Sequence, residues 1–420
     1  MTQEKKGLLI HEDWAVVIAG FIIIIASIAG LQSPVPQYNW SSLSDLSSKV
    51  FTGKNLLNIL YQFLYINMIA IIVSWITRRS IQKTITILPI IYILTIIALI
   101  LTGSDQAKAL NLEAVIFALA IGLLIGNLFK LPEWFRSGLN GELFVKIGLV
   151  LLGASVIFTD ILKAGSLGLI QALVVVLSVW YFAYWVCKKL KIDSELTMML
   201  SSAVSICGVS AAIATAGAIK GDSKKLSYVI SLVLITAIPM MIFMPVIANY
   251  LGLSQEVTGA WLGGTIDTTG AVVASGSLVG ETALKISTIV KFSQNVLLGI
   301  AAFAISVYWT YSKKENNAAD AEKKPTLKVI WERFPKFVLG FIATSLIFSF
   351  LLSPETVGNV KNSLKAVQGL WFALAFTSIG LETNFRDLFN SESRKPLYAF
   401  LIAQAFNIII TLIIAYLLFR

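Results

Sequence analysis

Residues 265–276 read TIDTTGAVVASG, an aspartate set among threonines and glycines inside an apolar stretch. A charged side chain at membrane depth costs at least a few kcal/mol, so Asp267 either lies in a surface loop or faces protein, water or a ligand. The surrounding chain decides between the two. Of 420 residues, 57% are hydrophobic and only 13% charged, whereas soluble domains carry roughly a quarter charged residues. A bilayer core needs about 20 apolar residues per helix. Runs of that order recur near 14–33, 56–77, 85–103, 111–129, 139–158, 164–187, 195–219, 226–251, 257–275, 285–309, 334–352, 367–383 and 396–419. The chain therefore reads as an all-α polytopic membrane protein with about 13 transmembrane segments, and Asp267 falls inside one of them.

The net charge of +10 does not point to nucleic acid, because Lys and Arg gather in short loops between the apolar runs. Arg78, Arg79 and Lys83 form one such cluster and Lys188, Lys189 and Lys191 another, the pattern that orients helices in a membrane. Their distribution places the N-terminus in the cytoplasm and the C-terminus outside, with a bacterial inner membrane as the expected location. Residues 14–33 have small residues that mimic a signal-peptide cleavage site. Their length and the preceding Glu12 and Asp13 favour a spanning helix. Cys187 and Cys207 both lie in or beside apolar segments, which argues against a disulfide framework. The single histidine, His11, sits in the N-terminal tail, and the chain has no HExxH, C-x-x-C, P-loop or serine–histidine pattern. No enzyme activity, and no cofactor beyond a coupling ion, is expected.

Few ionisable residues remain at membrane depth: Glu142, Lys146, Asp267 and Lys291, with Glu113 and Glu382 near segment ends. Glu142 and Lys146 are four apart on one helix face, in the order that favours an ion pair. The stretch S205-ICGVSAAIATAG aligns with T265-IDTTGAVVASGS sixty residues on, matching Ile206 to Ile266, Ala211 to Ala271 and Ala214 to Ala274. A second pair, G153-ASVIFT-D160 and G380-LETNFR-D387, shares its Gly-to-Asp spacing and the aromatics Phe158 and Phe385. Such repeats predict an inverted-repeat carrier in which two interrupted helices cross near the midplane.

The predicted breaks are Cys207, Gly208, Val209 and Ser210 in the first helix, and Asp267, Thr268, Thr269 and Gly270 in the second, with Ser205 leading into the first. Small and hydroxyl residues let the backbone leave helical geometry and cap a new start. The half-helix N-termini then offer N–H groups and partial positive charge to an anion. Downstream, KFSQN places Lys291, Gln294 and Asn295 on an apolar helix. Lys291 could neutralise Asp267, contact an anionic substrate, or snorkel to an interface.

Three stretches, SSAVSICGVSAAIATAGAIKGD, GGTIDTTGAVVASG with ALKISTIVKFSQN, and GLWFALAFTSIGLETNFRDL, resemble the signature regions of the YeiH-type sulfate exporter family. LAIGLLIGN at 119–127 and KIGLVLLGASVIFTDI at 146–161 fit its first part. The resemblance implies a relative of the cation/proton antiporter and bile-acid transporter group, with a core domain, a scaffold domain and two crossing interrupted helices. It covers roughly 110–420. The resulting division is an N-terminal extension at 1–105 with about three transmembrane helices, a first carrier part at 106–309 with both interrupted helices, a polar linker at 310–333, and C-terminal transmembrane helices at 334–420. The chain departs from the family pattern at Asp267, Thr268 and Ala271, and has Ser155 and Gln294 where arginines are usual.

The resemblance implies a secondary transporter moving a small anion, sulfate or another sulfur-containing or organic anion, coupled to Na⁺ or H⁺. Ser205, Cys207, Gly208, Val209, Ser210, Thr268, Thr269, Gly270, Lys291, Gln294 and Asn295 are the candidate substrate residues. Asp267 with Thr268 is the candidate ion-coupling site, as an oxygen site for Na⁺ or as a proton carrier. An anion channel and a carrier of a neutral or zwitterionic metabolite are the alternatives. The expected partners are the small solute, the lipid bilayer and a second copy of the chain, the homodimer resting on the resemblance alone.

Overall fold

The computed structural model describes residues 11–109, 114–219, 221–312, 331, 334–383 and 394–420. Glu113, Phe385, Asp387 and most of the 310–333 linker lie outside the described residues. The described chain is helical, with an isolated bridge between Trp40 and Ser104 as its extended pairing. Among the described residues, eight helices are long and apolar enough to cross a membrane, and four shorter apolar helices accompany them. Each run predicted from the sequence coincides with helix, so this is a multi-pass, all-α membrane protein.

Contacts divide the chain into two units, residues 1–159 with 336–384, and 160–335 with 385–420. The first contains α1 (Glu12–Ile28), α2 (Gly53–Ile76), α3 (Ile81–Thr102), α4 (Ala114–Leu128) and α5 (Gly141–Leu152). The second contains nearly all of α6 (Phe158–Lys189), then α7 (Ser194–Ser205), α8 (Val209–Ile219), α9 (Ser223–Tyr250), α10 (Gln255–Thr265), α11 (Thr269–Val279) and α12 (Glu281–Ser312). The chain then returns to the first unit with α13 (Lys336–Leu346) and α14 (Pro354–Glu382), and ends in the second with α15 (Lys395–Phe419).

Within the first unit, α1 packs on α5 and α13, and α3 packs on α4 and α14. Buried charge explains why α1 is integral. The Lys146 ammonium on α5 lies 3.0 Å from Asp13 and 3.5 Å from Glu12, both on α1, as well as 3.2 Å from Glu142. Glu12 also pairs with Arg79 at 2.5 Å, and the other Asp13 oxygen accepts the Lys336 N–H of α13 at 3.0 Å. The predicted Glu142–Lys146 pair exists, but it is one edge of a larger network. At the opposite extreme of polarity, α4 and α14 meet backbone to backbone: a Cβ on Gly380 would sit 2.6 Å from the Leu119 carbonyl oxygen.

Candidate functional site

The second unit holds both interrupted helices. The first stops at Ser205 and restarts at Val209, and the second stops at Thr265 and restarts at Thr269. The structural breaks thus begin a residue before those read from the sequence, and Val209, Ser210, Thr269 and Gly270 fall in the first turns of the new helices. Gly208 has φ +57°, a left-handed conformation that L side chains adopt at a cost. A Cβ there would lie 3.1 Å from Asp267 Cβ, so the two breaks touch.

Breaking a helix leaves carbonyls without an N–H four residues on, and orphaned groups in an apolar interior are costly. Polar side chains from three other helices donate to carbonyls of the interrupted helices. On α12, Lys291 Nζ donates to the Ile206 carbonyl at 2.8 Å, and Gln294 Nε2 donates to those of Ser205 and Gly264 at 2.9 and 3.2 Å. On α15, Asn407 Nδ2 donates to the Val204 and Thr265 carbonyls at 3.1 and 3.2 Å. Gln404 Nε2 reaches the same Thr265 oxygen at 3.1 Å, and Thr411 Oγ1 steadies Asn407 by donating to its Oδ1 at 2.8 Å. From α6, Gln171 Nε2 donates to the Ala260 carbonyl at 2.7 Å.

Asp267 is 1% exposed and Lys291 is fully buried. They do not form a direct ion pair. Lys291 spends two donors on Ile206 and, at 2.8 Å, on Gln294 Oε1, and acts on Asp267 through its charge rather than by contact, while its burial sets aside snorkelling to an interface. Asp267 instead sits at the start of α11, where the helix dipole favours negative charge. Two of the predicted hydroxyls are already committed to the backbone. Thr268 Oγ1 accepts the Ala271 N–H at 3.3 Å as the cap of α11, and Ser205 Oγ donates to the Ser201 carbonyl at 2.7 Å. Thr269 Oγ1 receives Asn295 Nδ2 at 3.3 Å.

Gln404, Asn407 and Gln171 were absent from the residues expected at the site. Their signal was available, since Gln404, Asn407 and Thr411 recur at three- and four-residue spacing along an otherwise apolar run. Ser155 lies in the first unit, at the short helical turn that ends α5, and is no part of this crossing.

The family described as conserved hypothetical protein 698 matches residues 86–399. The chain belongs to this family. A UPF0324 membrane protein of Rhodopirellula baltica is 41% identical over 342 residues, 79% of this chain and 62% of that protein. One from Nitratidesulfovibrio vulgaris is 38% identical over 347 residues, covering 78% of this chain and 58% of its own length. The chain thus spans about 60% of the length of these two relatives. A third, from Nitrosomonas europaea, is 27% identical over 459 residues and covers 94% of this chain and 93% of its own length. No solved structure matches. The YeiH-type resemblance read from the motifs agrees with this family, and α15 carries its site residues beyond the last matched position.

Proposed function

We propose that the chain is a secondary carrier working by alternating access, with the crossing of its two interrupted helices as the solute site. One observation carries this reading: two helix breaks meet in the interior of one unit, and side chains of α12 and α15 cap their carbonyls. A helix break is expensive in a membrane and is retained where it lines a ligand path. The cargo is a small anion, sulfate or a related sulfur-containing or organic anion, drawn to the N-terminus of α8. Movement is coupled to Na⁺ or H⁺ at Asp267. A zwitterionic cargo is the second reading, favoured by a buried carboxylate beside two helix N-termini.

The test is uptake and efflux of sulfate, sulfite, small carboxylates and sulfonates in proteoliposomes, with a sodium gradient, a pH gradient, both or neither. Gradient-driven accumulation that Asp267→Asn abolishes or uncouples is the expected result. Transport of all four solutes at background rates, or wild-type rates in that variant, refutes the assignment. Currents far above carrier turnover would instead mark an anion channel.

A further inference from the structure

At the second break Gln404 and Asn295 turn their donor ends onto the Thr265 carbonyl and the Thr269 hydroxyl, and their acceptor ends are left bare. Among the described residues, buried oxygens without a hydrogen-bond partner include Thr265 Oγ1, Asp267 Oδ2, Asn295 Oδ1 and Gln404 Oε1. All four belong to the stretch Thr265–Thr269 or to side chains bonded to it. Gln404 Nε2 is held on the Thr265 carbonyl, and Asn295 Nδ2 on the Thr269 hydroxyl. The Gln404 orientation is fixed by chemistry, because turning the amide over would set oxygen against a carbonyl oxygen.

Three acceptor-only oxygens and one hydroxyl, buried and unsatisfied together, are each costly to leave unpaired. An anion would add to that cost. A positive charge would satisfy all four at once. We propose that the second break binds a single positive charge, a dehydrated alkali cation or the ammonium group of a small solute, held by Asp267, Thr265, Gln404 and Asn295. One carboxylate and neutral oxygens suit a monovalent hard cation better than a divalent one, which recruits several carboxylates. Lys291 acts on Asp267 only at a distance, since its ammonium is hydrogen-bonded to the Ile206 carbonyl and Gln294 Oε1 and to none of these four oxygens. The proposal refines the coupling site of the carrier reading, and it is a statement about binding that stands or falls without transport.

The experiment is thermal melting of the purified full-length protein in detergent. The buffer is choline chloride, titrated at constant ionic strength and pH with NaCl, LiCl or KCl, and separately with ethylamine or glycine. A saturable rise in melting temperature with one alkali cation, or with the amines alone, is expected and distinguishes the two sources. Asp267→Asn should abolish the rise. Gln404→Leu, which keeps the Thr265 carbonyl served by Asn407, should weaken affinity about ten- to a hundredfold. Should Asp267→Asn fail to fold, Gln404→Leu decides alone. No saturable rise with any cation or amine, or a rise indifferent to Gln404, overturns the proposal. A proteoliposome result that shows gradient-driven transport without such binding would overturn this site and leave the carrier reading intact.

Discussion

The capping of the breaks can be tested through the one carbonyl that two residues share. Asn407 serves both Val204 and Thr265, whereas Gln404 serves Thr265 and contacts Met240 sulfur at 3.1 Å. Gln404→Leu therefore orphans no backbone acceptor, and its cost in cation-free buffer should stay below about 1 kcal/mol. Asn407→Leu orphans Val204 alone among the backbone acceptors, because Gln404 still holds Thr265, and takes the acceptor of the Thr411 hydroxyl with it, so it should cost about 1–3 kcal/mol. The double variant orphans both carbonyls and should cost about 2–6 kcal/mol. The coupling between the two sites is then about 1–3 kcal/mol, above the roughly 0.6 kcal/mol average for polar contacts between membrane helices. Denaturant unfolding of the purified single and double variants measures this cycle. Strict additivity, or a Gln404→Leu cost equal to that of Asn407→Leu, would refute the shared-acceptor account.

Gly208→Ala forces a Cβ into a left-handed conformation, worth about 1–2 kcal/mol, and places it 2.6 Å from Val233 Cγ1; the variant should melt lower and lose solute binding, measured by scanning fluorimetry. Asp13→Ala strips Lys146 of its nearest carboxylate and Lys336 N–H of its acceptor, and Glu12 and Glu142 compensate in part. A loss of about 1–3 kcal/mol in unfolding is expected, below the 3–5 kcal/mol of a fully broken buried pair. In the turn before α7, partial burial pushes the Asp193 carboxyl up, but hydrogen bonds from Lys225 Nζ at 2.7 Å and the Leu196 N–H outweigh it, so its pKa lies below the ordinary carboxylate value. That contribution is present at neutral pH and is lost as pH falls through the lowered pKa. The difference in melting temperature between wild type and Asp193→Asn should therefore be constant above about pH 5 and vanish in stronger acid.

Fold class and both breaks were legible because each rests on local pattern: long apolar runs set the helices, and clustered Gly, Ser, Thr and Asp set the interruptions. Asp267 and Lys291 stood out as charges at membrane depth and both proved buried at the crossing. Their relation was not legible. Two residues 24 apart in sequence look like an ion pair until the carbonyl of Ile206, from a third segment, claims the ammonium. The role of α15 was equally hidden, since a glutamine and an asparagine in an apolar helix give no hint of which distant carbonyls they satisfy. The packing of the first helices was hidden for a related reason. Composition marks the first helices as a block, but the partners of Lys146 are set by packing, which places Asp13 of α1 against α5.

Capping from α15 also imposes an order on synthesis. The carbonyls of Val204 and Thr265 enter the membrane long before their donor on Asn407 has been translated. At about 5–20 residues per second, the ribosome needs on the order of ten seconds to travel from the second break to the last helix. During that interval Lys291 and Gln294 of α12 have been made and can serve the Ser205, Ile206 and Gly264 carbonyls, but those of Val204 and Thr265 lack their α15 donors. The crossing is thus completed only when α15 docks, so a helix made much later closes a site laid down well before it.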